Sequence, residues 1–165
     1  MQSSKRRVGA VAVLVAAATI AASFTGAAAS SGGSTFVPFS SLFRTCSHDQ
    51  THWVSATGYG SGGAEIGVGP GGVTADVRLA TAQPNTRYTV RLIEVPRPSE
   101  RTCTAGDPGV IVGDLFTDAS GSGTTRLAGP VVDGATGVWV SVDGPPKPGR
   151  VIGDFYTSEI VAPLN

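Results

Sequence analysis

No part of the chain beyond residue 30 carries an apolar period of 3.6 residues long enough to make a helix. It carries short runs of period two, set off by glycine and proline. Residues 73–80 alternate most cleanly, with Val73, Ala75, Val77 and Leu79 on one face and Thr74, Asp76 and Arg78 on the other. A turn at Pro84 and Asn85 then feeds a second run, in which Tyr88, Val90 and Leu92 oppose Arg87, Thr89 and Arg91. Further strands are expected at 52–59, 64–68, 110–117, 124–128, 137–142 and 151–160. Glycine turns at 58–63 and 67–72 flank the short 64–68 strand, and D-A-S-G at 118–121 signals a hairpin. Residues 36–43, interrupted by Pro38, fit neither period and read as an edge strand or an irregular cover over one end of the core. The pattern predicts an all-β fold, a two-layer antiparallel β-sandwich.

The chain has 165 residues, about one domain. Residues 1–29 have a basic start (Lys5, Arg6, Arg7), an apolar run over 8–22 and the small residues Ala27, Ala28 and Ala29, which is the layout of a secretory signal peptide cleaved after Ala29. The apolar run is shorter than the roughly 20 residues a spanning helix needs, so no membrane insertion is expected after cleavage. Residues 30–35 read as a flexible Ser/Gly linker and 36–165 as a single domain. Cleavage removes three positive charges and leaves nine basic against twelve acidic residues, a net of −3, with the basic ones scattered. That balance argues against nucleic acid as a partner. The V-G-A-V that follows Arg6-Arg7 lacks a twin-arginine context, and ordinary export is expected. The two cysteines, Cys46 and Cys103, both lie in the exported part and are expected to form one disulfide in an oxidising, extracellular or envelope compartment.

The segment P-N-T-R-Y-T-V at 84–90 resembles the tyrosine corner of fibronectin type III and related immunoglobulin-like domains, where a P-x-T-x-Y turn precedes a core strand. The resemblance implies an immunoglobulin-like sandwich in which Pro84, Thr86 and Tyr88 are structural, the tyrosine hydroxyl bonding back to nearby backbone. T-D-A-S-G-S-G at 117–123 likewise resembles a hairpin of bacterial immunoglobulin-like surface domains. The layout as a whole, an Ala/Gly/Val-rich leader ahead of a small disulfide-tied β domain, is similar to secreted proteins of actinobacteria.

Candidate chemistry is sparse. Cys46, His48 and His52 could offer a thiolate and two imidazoles to a metal, but H-x-x-x-H brings ligands together on a helix and this segment precedes a strand. The glycine patterns at 58–63 and 67–72 lack the helix that a nucleotide fingerprint requires. Residues 118–123 alternate oxygen-bearing side chains as calcium loops do, without the clustered carboxylates. No G-x-S-x-G elbow is present, and Asp114, Asp118, Asp133, Asp143 and Asp154 all sit at strand ends or turns, where aspartate serves the backbone. Trp139 points away from Val138, Val140 and Val142. It is either covered by another segment or lines, with Trp53 or Tyr156, a platform for a sugar or a partner protein.

These observations predict a monomeric, exported, non-enzymatic binding or structural module with no cofactor, whose partner is a cell-wall polysaccharide or an envelope protein. The alternatives are a small secreted hydrolase and a metal-binding protein using His48 and His52.

Overall fold

In the computed structural model, which describes residues 33–164, the alternating runs become nine strands: β1 (Ser34–Ser40), β2 (Ser61–Gly69), β3 (Gly72–Ala80), β4 (Arg87–Val95), β5 (Val110–Phe116), β6 (Gly123–Gly129), β7 (Gly137–Asp143), β8 (Phe155–Ser158) and β9 (Ala162–Pro163). The described residues contain no helix. The expected leader and the first half of the expected linker, residues 30–32, lie outside them.

Every pairing is antiparallel. The strands follow the order β5-β4-β7-β8-β1-β2-β3-β6, with β9 added beside β7. The two ends of this path, β5 and β6, meet through side chains. A Cβ placed on Gly129 of β6 would fall 2.5 Å from Ile111 Cδ1 of β5, and one on Gly113 of β5 would lie 3.5 Å from Leu127 Cγ of β6. The sheet is therefore nearly closed into a barrel-like shape around one core. That core is built from the inward parity of each strand, including Val37, Ile66, Val73, Val77, Tyr88, Val90, Leu92, Leu115, Leu127, Val140, Val142 and Tyr156.

Residues 36–43 are not an edge. Through Pro38, β1 pairs with β2; Phe39 and Ser40 pair with Ser158 and Thr157 of β8. The switch falls at Pro38 because proline has no N–H to continue the first ladder, while its carbonyl is free to accept the N–H of Glu159 at 2.9 Å. Ser34 and Thr35, expected in the linker, already belong to β1.

Three other expectations change. Residues 52–59 form no strand; Thr57 Oγ1 donates to the Gly153 carbonyl at 2.7 Å and Gly60 N–H donates to the Tyr156 hydroxyl at 3.1 Å, so side chains hold this loop. Gly62, Gly63 and Gly67 lie within β2 and not in turns. At Gly63 the missing side chain has a use, since a Cβ there would sit 2.6 Å from Cζ of the Phe36 ring. Finally, the 118–121 turn joins strands that part company: β5 pairs with β4 and β6 with β3. The turn is held by the neighbouring corner, with Ala82 N–H donating to the Gly121 carbonyl and Asn85 N–H to the Asp118 carbonyl, both at 3.0 Å.

Candidate functional site

Parity along β4 places the site. Tyr88, Val90 and Leu92 point into the core, and the next residue of the same parity is Glu94, whose side chain enters the end of the barrel and is 3 % exposed. Its Oε2 accepts the N–H of Val132 at 3.0 Å, and its backbone N–H donates to the Gly109 carbonyl at 2.8 Å. Its Oε1 is buried and has no hydrogen-bond partner among the described residues. A buried carboxylate oxygen without a donor costs on the order of 1–3 kcal/mol or more, so such a group calls for an explanation.

Glu94 lines a cleft of about 330 Å³ between the β4–β5 connection and residues 132–135. The walls are Pro96, Pro98, Pro108 and Val132; the polar groups are Glu94, Arg97, Arg101 and Asp133. Arg97 spans the connection, with its terminal nitrogens on the carbonyls of Thr102 (2.8 Å) and Pro108, while its Nε is buried and unpartnered. Asp107 folds the same connection by accepting from Thr102 Oγ1 (2.9 Å), Thr104 N (2.7 Å) and Thr104 Oγ1 (3.0 Å). The bond from the Thr104 backbone, then those from the two hydroxyls, hold its carboxyl below the usual range. The cleft thus presents two acceptors and two donors of opposite charge, and neither histidine of the chain.

The disulfide that anchors this connection joins Cys46 to Cys103. It packs with Ile93, Val95, Val110, Val161 and Trp139 in a second apolar cluster, on the face of β4 and β7 opposite the core. Trp139 is 1 % exposed, with the His48 ring 5.2 Å from its own. The platform reading of Trp53, Trp139 and Tyr156 is therefore corrected. Residues 46–48 and the disulfide cover Trp139, Tyr156 is 1 % exposed inside the barrel, and only Trp53, at 81 %, faces solvent, beside Val151 and Ile152 in a separate cleft of about 380 Å³.

His48 and His52 do not come together as ligands. His48 turns inward, with Nε2 2.8 Å from the Ser158 carbonyl, and burial, the larger cause, lowers its pKa against that bond's pull. His52 is exposed and Cys46 is spent in the disulfide. No group of three His, Cys, Asp or Glu side chains suited to a metal occurs among the described residues.

Four of the five aspartates weighed for catalysis have structural partners. Asp114 pairs with Arg87 (2.8 Å), Asp143 with Arg91 (2.6 Å) and Asp154 with Lys147 (2.8 Å); Asp118 accepts the backbone N–H groups of Ser120 and Ser122 within its own turn. Asp133, the fifth, is the one that lines the Glu94 cleft. The corner residues sit together: the Gln83 N–H donates to the Tyr88 hydroxyl at 3.1 Å, and Thr86 Oγ1 donates to the Pro84 carbonyl at 2.9 Å.

Glu94 is not among the residues that the sequence singles out. The available signal is its parity, a carboxylate continuing the buried face of Tyr88, Val90 and Leu92. Comparison of the chain with family models, curated proteins and solved structures gave no significant match.

Proposed function

We propose that this chain is an exported, non-enzymatic binding module of the cell envelope or its surroundings, with an immunoglobulin-like β-domain as scaffold and the Glu94 cleft as its binding site. The observation that carries this reading is the buried Glu94 Oε1, unpartnered at the wall of a cleft whose other polar groups are arginines and an aspartate. Ligand sites are concave, mostly apolar and equipped with a few polar groups that fix orientation, as this one is. A carboxylate next to guanidinium groups, with no imidazole, suits holding a ligand better than moving protons at neutral pH. The disulfide supports an oxidising compartment, and the Tyr88 corner supports the immunoglobulin-like resemblance. The partner is a cell-wall polysaccharide or an envelope protein, bound by a monomer.

Expression of the full chain in an exporting bacterium tests both parts. Mass spectrometry should find a mature chain starting at Ser30. That chain should be retained by isolated envelope material, and Glu94→Gln should cut retention about tenfold. Equal retention of the two proteins would overturn the site, and an uncleaved, cytoplasmic product would overturn the compartment.

A further inference from the structure

We propose that the Glu94 cleft recognises an amino-acid end group, an ammonium and a carboxylate carried close together on one small unit. The inference rests on the binding-module reading and adds the chemistry of the ligand. Glu94 is 97 % buried by its 3 % exposure, and one of its two oxygens already holds the Val132 N–H. The remaining oxygen needs a donor, and a positively charged donor also compensates the buried charge, which a neutral hydroxyl does not. Oε1 lies just out of solvent reach, so a donor meets it only where the cleft wall gives slightly; an ammonium, the most compact cationic donor, needs the least of that and can turn a second N–H towards Asp133 of the same cleft.

The opposite wall asks for an anion. Arg97 Nε is buried without an acceptor, and Arg101 is exposed with no carboxylate partner among the described residues. Guanidinium groups recognise carboxylates through paired N–H donors. Pro96, Pro98 and Pro108 form a rigid apolar rim that loses little entropy on closing over a small ligand. A cation alone would leave the arginines unanswered, and an anion alone would leave Glu94 so.

The test uses the mature exported protein and three probes: glycine, glycinamide, which lacks the carboxylate, and N-acetylglycine, which lacks the ammonium. Backbone amide shifts are followed by NMR. Glycine should move the signals of Glu94, Gly109 and Val132 saturably at up to about 100 mM. N-acetylglycine should bind at least about tenfold more weakly, and glycinamide should also lose affinity. Glu94→Gln should abolish the glycine response; Arg101→Ala, at an exposed position where folding is not at stake, should weaken it several-fold. Absence of any glycine response, or N-acetylglycine binding as well as glycine, overturns the proposal. If glycine fails while envelope retention still depends on Glu94, the ligand chemistry falls and the binding module stands; if neither depends on Glu94, both fall.

Discussion

Replacing Tyr88 by Phe removes one oxygen from the corner and nothing else. The hydroxyl accepts the Gln83 N–H at 3.1 Å, its ring is fully buried, and the Tyr156 ring lies 6.1 Å away. At pH 7 the loss of that bond should cost about 1 kcal/mol, the net worth of one hydrogen bond. The same burial, with a smaller push from Tyr156 and Asp154 and a counter-pull from the Gln83 bond, raises the Tyr88 hydroxyl to about 12 from 10. Because the folded value lies above the unfolded one, the unfolded chain releases its proton first. The native protein is therefore favoured fully below pH 10 and loses that advantage as pH rises towards 12. The loss attributable to Tyr88 is about 1 kcal/mol near pH 11 and approaches about 3 kcal/mol beyond the folded value. The variant lacks this term; Tyr156, raised mainly by burial, titrates in both proteins and differs between them only by the smaller lowering from its bond with Tyr88. Guanidinium unfolding midpoints from pH 8 to about 11.5 should show the wild type ahead at first and the curves meeting near about pH 11. A gap that stays constant across the range would mean that the hydroxyl is not held in a buried corner, and the reasoning would fail.

Three further outcomes are expected. Cys46→Ala with Cys103→Ala should cost about 4 kcal/mol by opening a loop of 57 residues, read as a lower denaturation midpoint that reductant reproduces in the wild type. Trp139→Ala should cost about 3–5 kcal/mol through the cavity left between Ile93 and the disulfide, and leave the Glu94-cleft amides responsive to ligand. Acidification should destabilise the protein through His48, whose folded pKa lies below the unfolded one. The unfolded chain then takes up the proton first, and the stability present above the ordinary histidine range is lost as pH falls through it. In His48→Asn, which keeps a residue tolerant of the φ of +75° found there, the melting temperature should fall less between pH 7.5 and 5.

The strands with one buried face were legible because period two reports burial directly: Val73 to Leu79 in alternate positions, and Tyr88, Val90 and Leu92, all point where the pattern puts them. Where glycine replaces the pattern, it is silent. Gly63 looks like a turn in sequence, yet its place in β2 is fixed by the Phe36 ring above it, a contact between strands that no local rule contains. Residues 52–59 read as strand-like, but β8, whose Tyr156 they lie beside, already has partners on both sides, and the loop is left with side-chain bonds alone. Trp139 was legible as outward; what covers it comes from residues 46–48, brought there by the disulfide. Of the candidate site, only the parity of Glu94 was written in the sequence, since the partners around it come from two separate connections, β4–β5 and β6–β7.

The strand that changes allegiance at Pro38 sets the order in which the molecule can finish folding. Its first half needs β2, which is made soon after it; its second half waits for β8, near the other end of the chain. A chain emerging N-terminus first can thus assemble the β1–β2–β3 meander early, but Phe39 and Ser40 keep bare backbone until Ser158 and Thr157 arrive. Truncations that stop short of residue 155 should release a partly zipped ribbon prone to capture by chaperones or by its own kind.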